Sequence, residues 1–196
     1  MARHERSGKK KLFIPIFIIT IMVLSVFGVM IGGLTQTQDA VKYNGLTFIL
    51  KDGKYSFKSN GHNYNLLNSP LEVESFSEDL PDMFMSDFKS GVYERVYIDI
   101  SDISAGDALS EIYTNLNGEI NIGLSCMAGY KDAEQCLELP IKSCGEAGNL
   151  IVSMKVSEEK ESSYSNGCID LRGSLGYLIG VADVIVMDYA GVFDGK

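Results

Sequence analysis

The chain has no P-loop, no G-x-G-x-x-G, no EF-hand loop and no Asn-x-Ser/Thr acceptor. The familiar signatures of phosphate, dinucleotide and calcium binding and of N-glycosylation are therefore missing. Histidine is nearly absent: His4 lies in a basic tail and His62 follows Asn60-Gly61 in a turn. A Ser-His-Asp or Cys-His pair would have to use His62. Ser125 and Cys126 stand in Gly-Leu-Ser-Cys-Met, which lacks the second glycine of a nucleophile elbow. They read as residues at a strand end. There is no internal repeat and no low-complexity tract. No residue is assigned as catalytic, cofactor-binding or metal-ligating.

Positive charge is scarce beyond the N-terminus. Arg3, Arg6, Lys9, Lys10 and Lys11 supply five of the 17 basic residues, while residues 35–196 hold 12 Lys/Arg against 25 Asp/Glu. Such an acidic body repels phosphate backbones, which excludes nucleic acid as a partner.

What is present begins with residues 12–34, 23 residues without a charge. As a helix this run reaches about 34 Å, enough for a hydrocarbon core of about 30 Å. Pro15 falls in the first turn, where a missing N–H costs least. A cleaved signal peptide, with an apolar region of roughly 7–15 residues, and a pilin-type leader are the competing readings. The basic cluster stays cytoplasmic, so the chain divides into a tail (1–11), a transmembrane helix (12–34), a stalk (35–42) and an extracytoplasmic domain (43–196) on the outer face of the cell membrane. Gly28 and Gly32 form a G-x-x-x-G pair, a motif common by chance in apolar segments.

The four cysteines, Cys126, Cys136, Cys144 and Cys168, all lie in that domain and predict two disulfides on the oxidising side of a membrane. Their gaps of 9, 7 and 23 residues do not supply the close ligand pairs of a zinc site. The preferred pairing is Cys126–Cys136 with Cys144–Cys168. Cys126 ends a strand, and the excursion after it is short enough for Cys136 to fold back. Cys144 precedes a strand at 149–156, and Cys168 begins a strand expected to return beside it around a loop at 157–166. The alternative is Cys136–Cys168 with Cys126–Cys144.

The fold class is α/β (α+β). Leu46, Phe48 and Leu50, then Tyr55 and Phe57, then Tyr64 and Leu66 alternate around Asp52-Gly53 and Asn60-Gly61, predicting an antiparallel meander of three strands over 43–67. Residues 71–91 fit a short helix or an apolar loop. Val96, Ile98 and Ile100 mark a strand, and Ala105, Leu109, Ile112 and Leu116 recur at helical spacing. Ile120, Ile122 and Leu124 mark the next strand, so this is a βαβ unit within a mixed sheet. A β-hairpin (149–156 with 168–171) and an amphipathic helix over 175–189 follow.

Cys136 with Leu-Pro140-Ile-Lys-Ser-Cys144, then Asn166-Gly-Cys168-Ile-Asp-Leu-Arg-Gly173, Leu178-Ile-Gly-Val-Ala-Asp183 and Tyr189-Ala-Gly-Val192 carry a resemblance. Tyr43-Asn-Gly-Leu-Thr-Phe48 and Pro70-Leu-Glu-Val-Glu74 add to it. With these residues the chain resembles an uncharacterised family of small single-pass membrane-anchored, cysteine-containing proteins of small-genome archaea. The resemblance implies an anchor, an α/β external domain and cysteine pairs, and no activity.

Two functions are expected from these features. One is a non-catalytic binding or interaction module of the cell envelope, with the membrane and a protein partner or a second copy as partners. The other is an envelope enzyme, a carboxylate-based hydrolase centred on Asp99 and Asp102 at the C-terminal end of a strand. In the bland reading Asp102 is a helix cap and Asp99 an exposed strand residue, while Asp183 and Asp188 lie on the polar side of the last helix. A pilin-like surface subunit is a further option.

Overall fold

The computed structural model describes residues 20–22, 39–130 and 132–194. Among the described residues no helix is long and apolar enough to cross a membrane. Thr20–Met22 are helical and exposed; the rest of the 12–34 span, the tail and the first four stalk residues lie outside the described residues.

The meander has four strands, β1 (Ala40–Tyr43), β2 (Leu46–Lys51), β3 (Lys54–Ser59) and β4 (His62–Leu66), paired antiparallel in that order. Three tight turns join them: Asn44-Gly45, Asp52-Gly53 and Asn60-Gly61, with φ positive at both residues of each. That is the two-residue hairpin geometry for which Asn-Gly and Asp-Gly are selected. Tyr43, Phe48, Phe57, Tyr64 and Leu66 fill the inner face. β1 corrects the stalk boundary: its residues 40–42 are sheet, and Asn44-Gly45 is the turn signal that marks it. On the edge of β4, the Asn115 side chain accepts from the Asn65 N–H at 2.7 Å and donates to the Asn65 carbonyl at 2.8 Å. Pairing of this residue shortens the stretch of open edge that β4 presents.

Helix α1 (Pro70–Val73) opens with a reciprocal capping box, Ser69 with Glu72. A 3-10 segment (Glu74–Asp79) and α2 (Asp82–Ser90) follow. Strand β5 (Arg95–Asp99) leads through α3 (Gly106–Leu116) to β6 (Ile122–Met127), parallel to β5, which is the predicted βαβ unit. The chain then crosses β5 by an irregular excursion that carries the two-residue β7 (Ile141–Lys142) and continues into β8 (Asn149–Val156). β9 (Glu161–Ser165), β10 (Cys168–Gly173) and α4 (Leu175–Tyr189) complete the domain. The six-stranded sheet has the order β7-β6-β5-β8-β10-β9, parallel except for β9.

Two further expectations fail in the six-stranded sheet and the last helix. Residues 149–156 and 168–173 do not form a hairpin. β8 and β10 run parallel, with Cys168 opposite Ile151, and the segment 161–165 is itself an edge strand that forms the hairpin with β10 around Asn166-Gly167. The last helix is not amphipathic in its setting. From Tyr177 to Met187 only Ile179 is not buried. The six-stranded sheet covers one side of α4; α1, α2, α3 and the 3-10 segment cover the others. A helix apolar all round belongs in the interior.

That burial leaves no spare volume beside Gly180. A Cβ there would stand 2.5 Å from the ring of Phe76. Gly180→Ala is expected to lower stability by about 1–3 kcal/mol in urea denaturation. In a Phe76→Ala background the same change is expected to cost little; an unchanged penalty there would place the strain elsewhere.

Candidate functional site

The C-terminal ends of β5, β6 and β8 are where an open parallel sheet ordinarily presents a ligand crevice. From β5 the chain leaves to α3, and from β6 to the excursion, so adjacent strands part here. Asp99, Ser125 and Ser153 stand at one level across these three strands. Strand alternation puts them on the same face of the sheet, opposite the face of Ile98 and Val152.

Asp99 is not the exposed strand residue expected from the sequence; it is buried, 5% exposed. Its Oδ1 accepts from the Ser101 N–H at 3.0 Å and from the Ser101 hydroxyl at 2.5 Å, and Oδ2 accepts from the Ser153 hydroxyl at 3.0 Å. Ser101 Oγ in turn accepts the Met127 N–H at 2.8 Å, and the Ser101 carbonyl accepts the Gln135 side-chain amide at 2.9 Å. Buried carboxylates persist where such donors replace water. The cluster therefore ties the ends of β5, β6 and β8 to the excursion. Ser125 is fully buried beside it, with an Oγ that has no hydrogen-bond partner among the described residues.

The chemistry this arrangement can support is narrow. Cys126 is joined to Cys136, so neither is a nucleophile. His62 is on β4, in the other sheet, paired with Glu119. Asp102 accepts from the Ser104 N–H at 2.9 Å and caps the 3-10 turn 103–105, as expected; those hydrogen bonds hold its carboxyl below the usual range. Asp102 thus serves Ser104 rather than converging on Asp99. Among the described residues no three His, Cys, Asp or Glu side chains gather as a metal ion requires.

Both predicted disulfides are present. Cys126 and Cys136 have Cα atoms 5.7 Å apart, and Cys144 and Cys168 have theirs 5.4 Å apart. The reason for the second differs from the expected one. Antiparallel strands would put the first residues of 149–156 and of 168–173 at opposite edges of the ladder. The parallel pairing of β8 and β10 starts the two strands at the same end, where the Gly145 N–H also donates to the Asn166 carbonyl at 2.7 Å.

The carboxylates of α4 are expected on a polar face. Asp183 is instead fully buried. Its Oδ2 accepts from the Asn68 N–H at 2.9 Å and from the Asn68 side-chain amide at 2.8 Å, while Oδ1 accepts from the Leu67 N–H at 3.4 Å. Burial pushes its carboxyl up to about 7 against the pull of these donors. Asp188 is raised by burial too, despite Lys89 at 3.3 Å.

At the opposite end of the sheet, Tyr93, Arg95, Ile120 and Asn121 line a cavity of about 50 Å³. Ligand sites ordinarily measure about 300–1,000 Å³. Neither family models, nor curated proteins, nor solved structures match this chain.

Proposed function

We propose that the protein is a single-pass envelope protein whose residues 12–34 cross the cell membrane, with the N-terminus cytoplasmic and the α/β domain on the outer face. The domain acts there as a non-catalytic binding or interaction module. The observation that carries this reading is the closure of the Asp99 end of the sheet. The position that opens as a crevice in α/β enzymes is filled by serine hydroxyls, backbone and the disulfide-bearing excursion. Two disulfides are compatible with an oxidising exterior. The basic cluster before an uncharged 23-residue run supports the orientation.

Protease added to intact cells is expected to digest the domain and spare residues 1–11. A domain protected until the membrane is permeabilised would reverse the topology. For the binding role, the full chain purified from native membranes after chemical cross-linking is expected to carry one envelope protein, or a second copy of itself, in stoichiometric amount. Asp99→Asn should leave that capture unchanged. Recovery of the chain alone, together with a hydrolytic activity lost in Asp99→Asn, would favour the carboxylate hydrolase instead.

A further inference from the structure

We propose that the outward face of the meander is a docking surface for the anionic headgroups of the membrane in which the chain is anchored. Strand alternation sends Tyr43, Phe48, Phe57 and Tyr64 inward and leaves Lys42, Lys51, Lys54 and Lys58 on the other face, all exposed. The register places Lys51 opposite Lys54, and Lys42 opposite Thr47. Ile49 lies outward between them, half-buried. The only carboxylates of residues 39–67 are Asp39, ahead of β1, and Asp52, in a turn. Among the described residues Lys54 pairs with Glu111 at 3.4 Å, and Lys42, Lys51 and Lys58 have no carboxylate partner.

The contrast with the remainder of the domain makes this face specific. Residues 68–196 hold 8 Lys/Arg against 23 Asp/Glu, so a third of the domain's basic residues sit on one small sheet. An anionic surface attracts this face and repels the others, which orients the domain. Attraction of this kind fades within a Debye length of about 8–10 Å, so it acts only on a face held near the surface. The chain permits that proximity. The apolar run ends at Leu34 and β1 begins at Ala40, and the five residues between them span no more than about 18 Å. The proposal rests on the anchored reading for this reach.

The test uses the full chain in nanodiscs of phosphatidylglycerol or of phosphatidylcholine, with amine acylation read residue by residue by mass spectrometry. Lys42, Lys51 and Lys58 are expected to react about fivefold more slowly in the anionic discs. About 0.5 M salt should remove the difference. Lys155, exposed on β8, should react equally in both. Equal rates at the three lysines in both lipids would overturn the proposal. So would protection in both lipids that accompanies dimer formation, because a second copy would then be the occupant. A chain that fails to co-purify with the discs removes the anchor and this proposal together, and that failure is seen before any labelling.

Discussion

Replacing Asp183 by alanine is expected to lower stability by about 2–4 kcal/mol in urea denaturation at pH 4. The change removes the acceptor of the Asn68 N–H, the Asn68 amide and the Leu67 N–H, all three half-buried, and a donor left unpaired away from water costs about 1–3 kcal/mol. These donors sit where the meander ends and the α1 cap begins, so the loss should detach the meander from α4 first. Hydrogen exchange is expected to speed up in 62–68 before it does in β5 or β8. The pH dependence gives a second readout. The folded carboxyl, pushed up to about 7 by burial, lies above the unfolded value of about 3.9. The folded state then holds a proton that the unfolded state has released. The stability this brings is complete below about pH 4 and is lost as pH rises through about 7, with a swing on the order of 4 kcal/mol. Asp188, also raised by burial, adds in the same direction; Glu72, Asp102 and Glu146, all lowered, oppose it. Asp183→Asn isolates the one group. Its stability should fall less steeply between pH 4 and 7 than that of the native chain. Parallel curves for the two proteins would show that Asp183 does not titrate in this window.

Removing the Cys144–Cys168 bridge with serine at both positions is expected to cost about 3–4 kcal/mol. The bridge closes a loop of 25 residues, and the chain-entropy relation assigns about 3.5 kcal/mol to a loop of that length. The same relation assigns about 3 kcal/mol to the 11-residue loop between Cys126 and Cys136. The two losses should differ in character. Cys168 begins β10, the strand between β8 and the edge strand β9, so losing its bridge should loosen β9 and β10 together. Cys126 and Cys136 are both almost fully buried, and serine there leaves two hydroxyls without water. Denaturant midpoints of the two double-serine variants measure this. A loss below about 1 kcal/mol for the 144–168 pair would mean that the unfolded chain is already constrained in that region.

The local rules of the chain are legible in its residues because each depends on near neighbours. Asp52-Gly53 and Asn60-Gly61 make the two turns expected of them, and Asn44-Gly45 makes a third. The helical spacing of Leu109, Ile112 and Leu116 puts all three in the core. Ser174 caps α4 through the Tyr177 N–H, a role its residue type allows but does not announce. Edge strand β9 is hidden in the sequence for a physical reason. Glu161-Ser-Ser-Tyr-Ser165 shows no apolar alternation, since a strand at a sheet edge with both faces partly wet requires none.

By itself the sequence determined the four-cysteine framework, the βαβ unit, the meander turns and the acidic character of the domain, all consequences of residue type and short-range period. Only the tertiary structure decided the direction of β10 against β8, the burial of α4 on nearly every side, and the environments of Asp99 and Asp183. An alternating pattern records that one face is apolar and is silent about which strand lies beside it or which way that strand runs. A carboxylate within an apolar stretch reads as solvent-facing until the fold sets donors around it. The Asn68 amide and the Ser153 hydroxyl, 115 and 54 residues away in the chain, make burial of these two carboxylates tolerable, and no local pattern encodes such meetings.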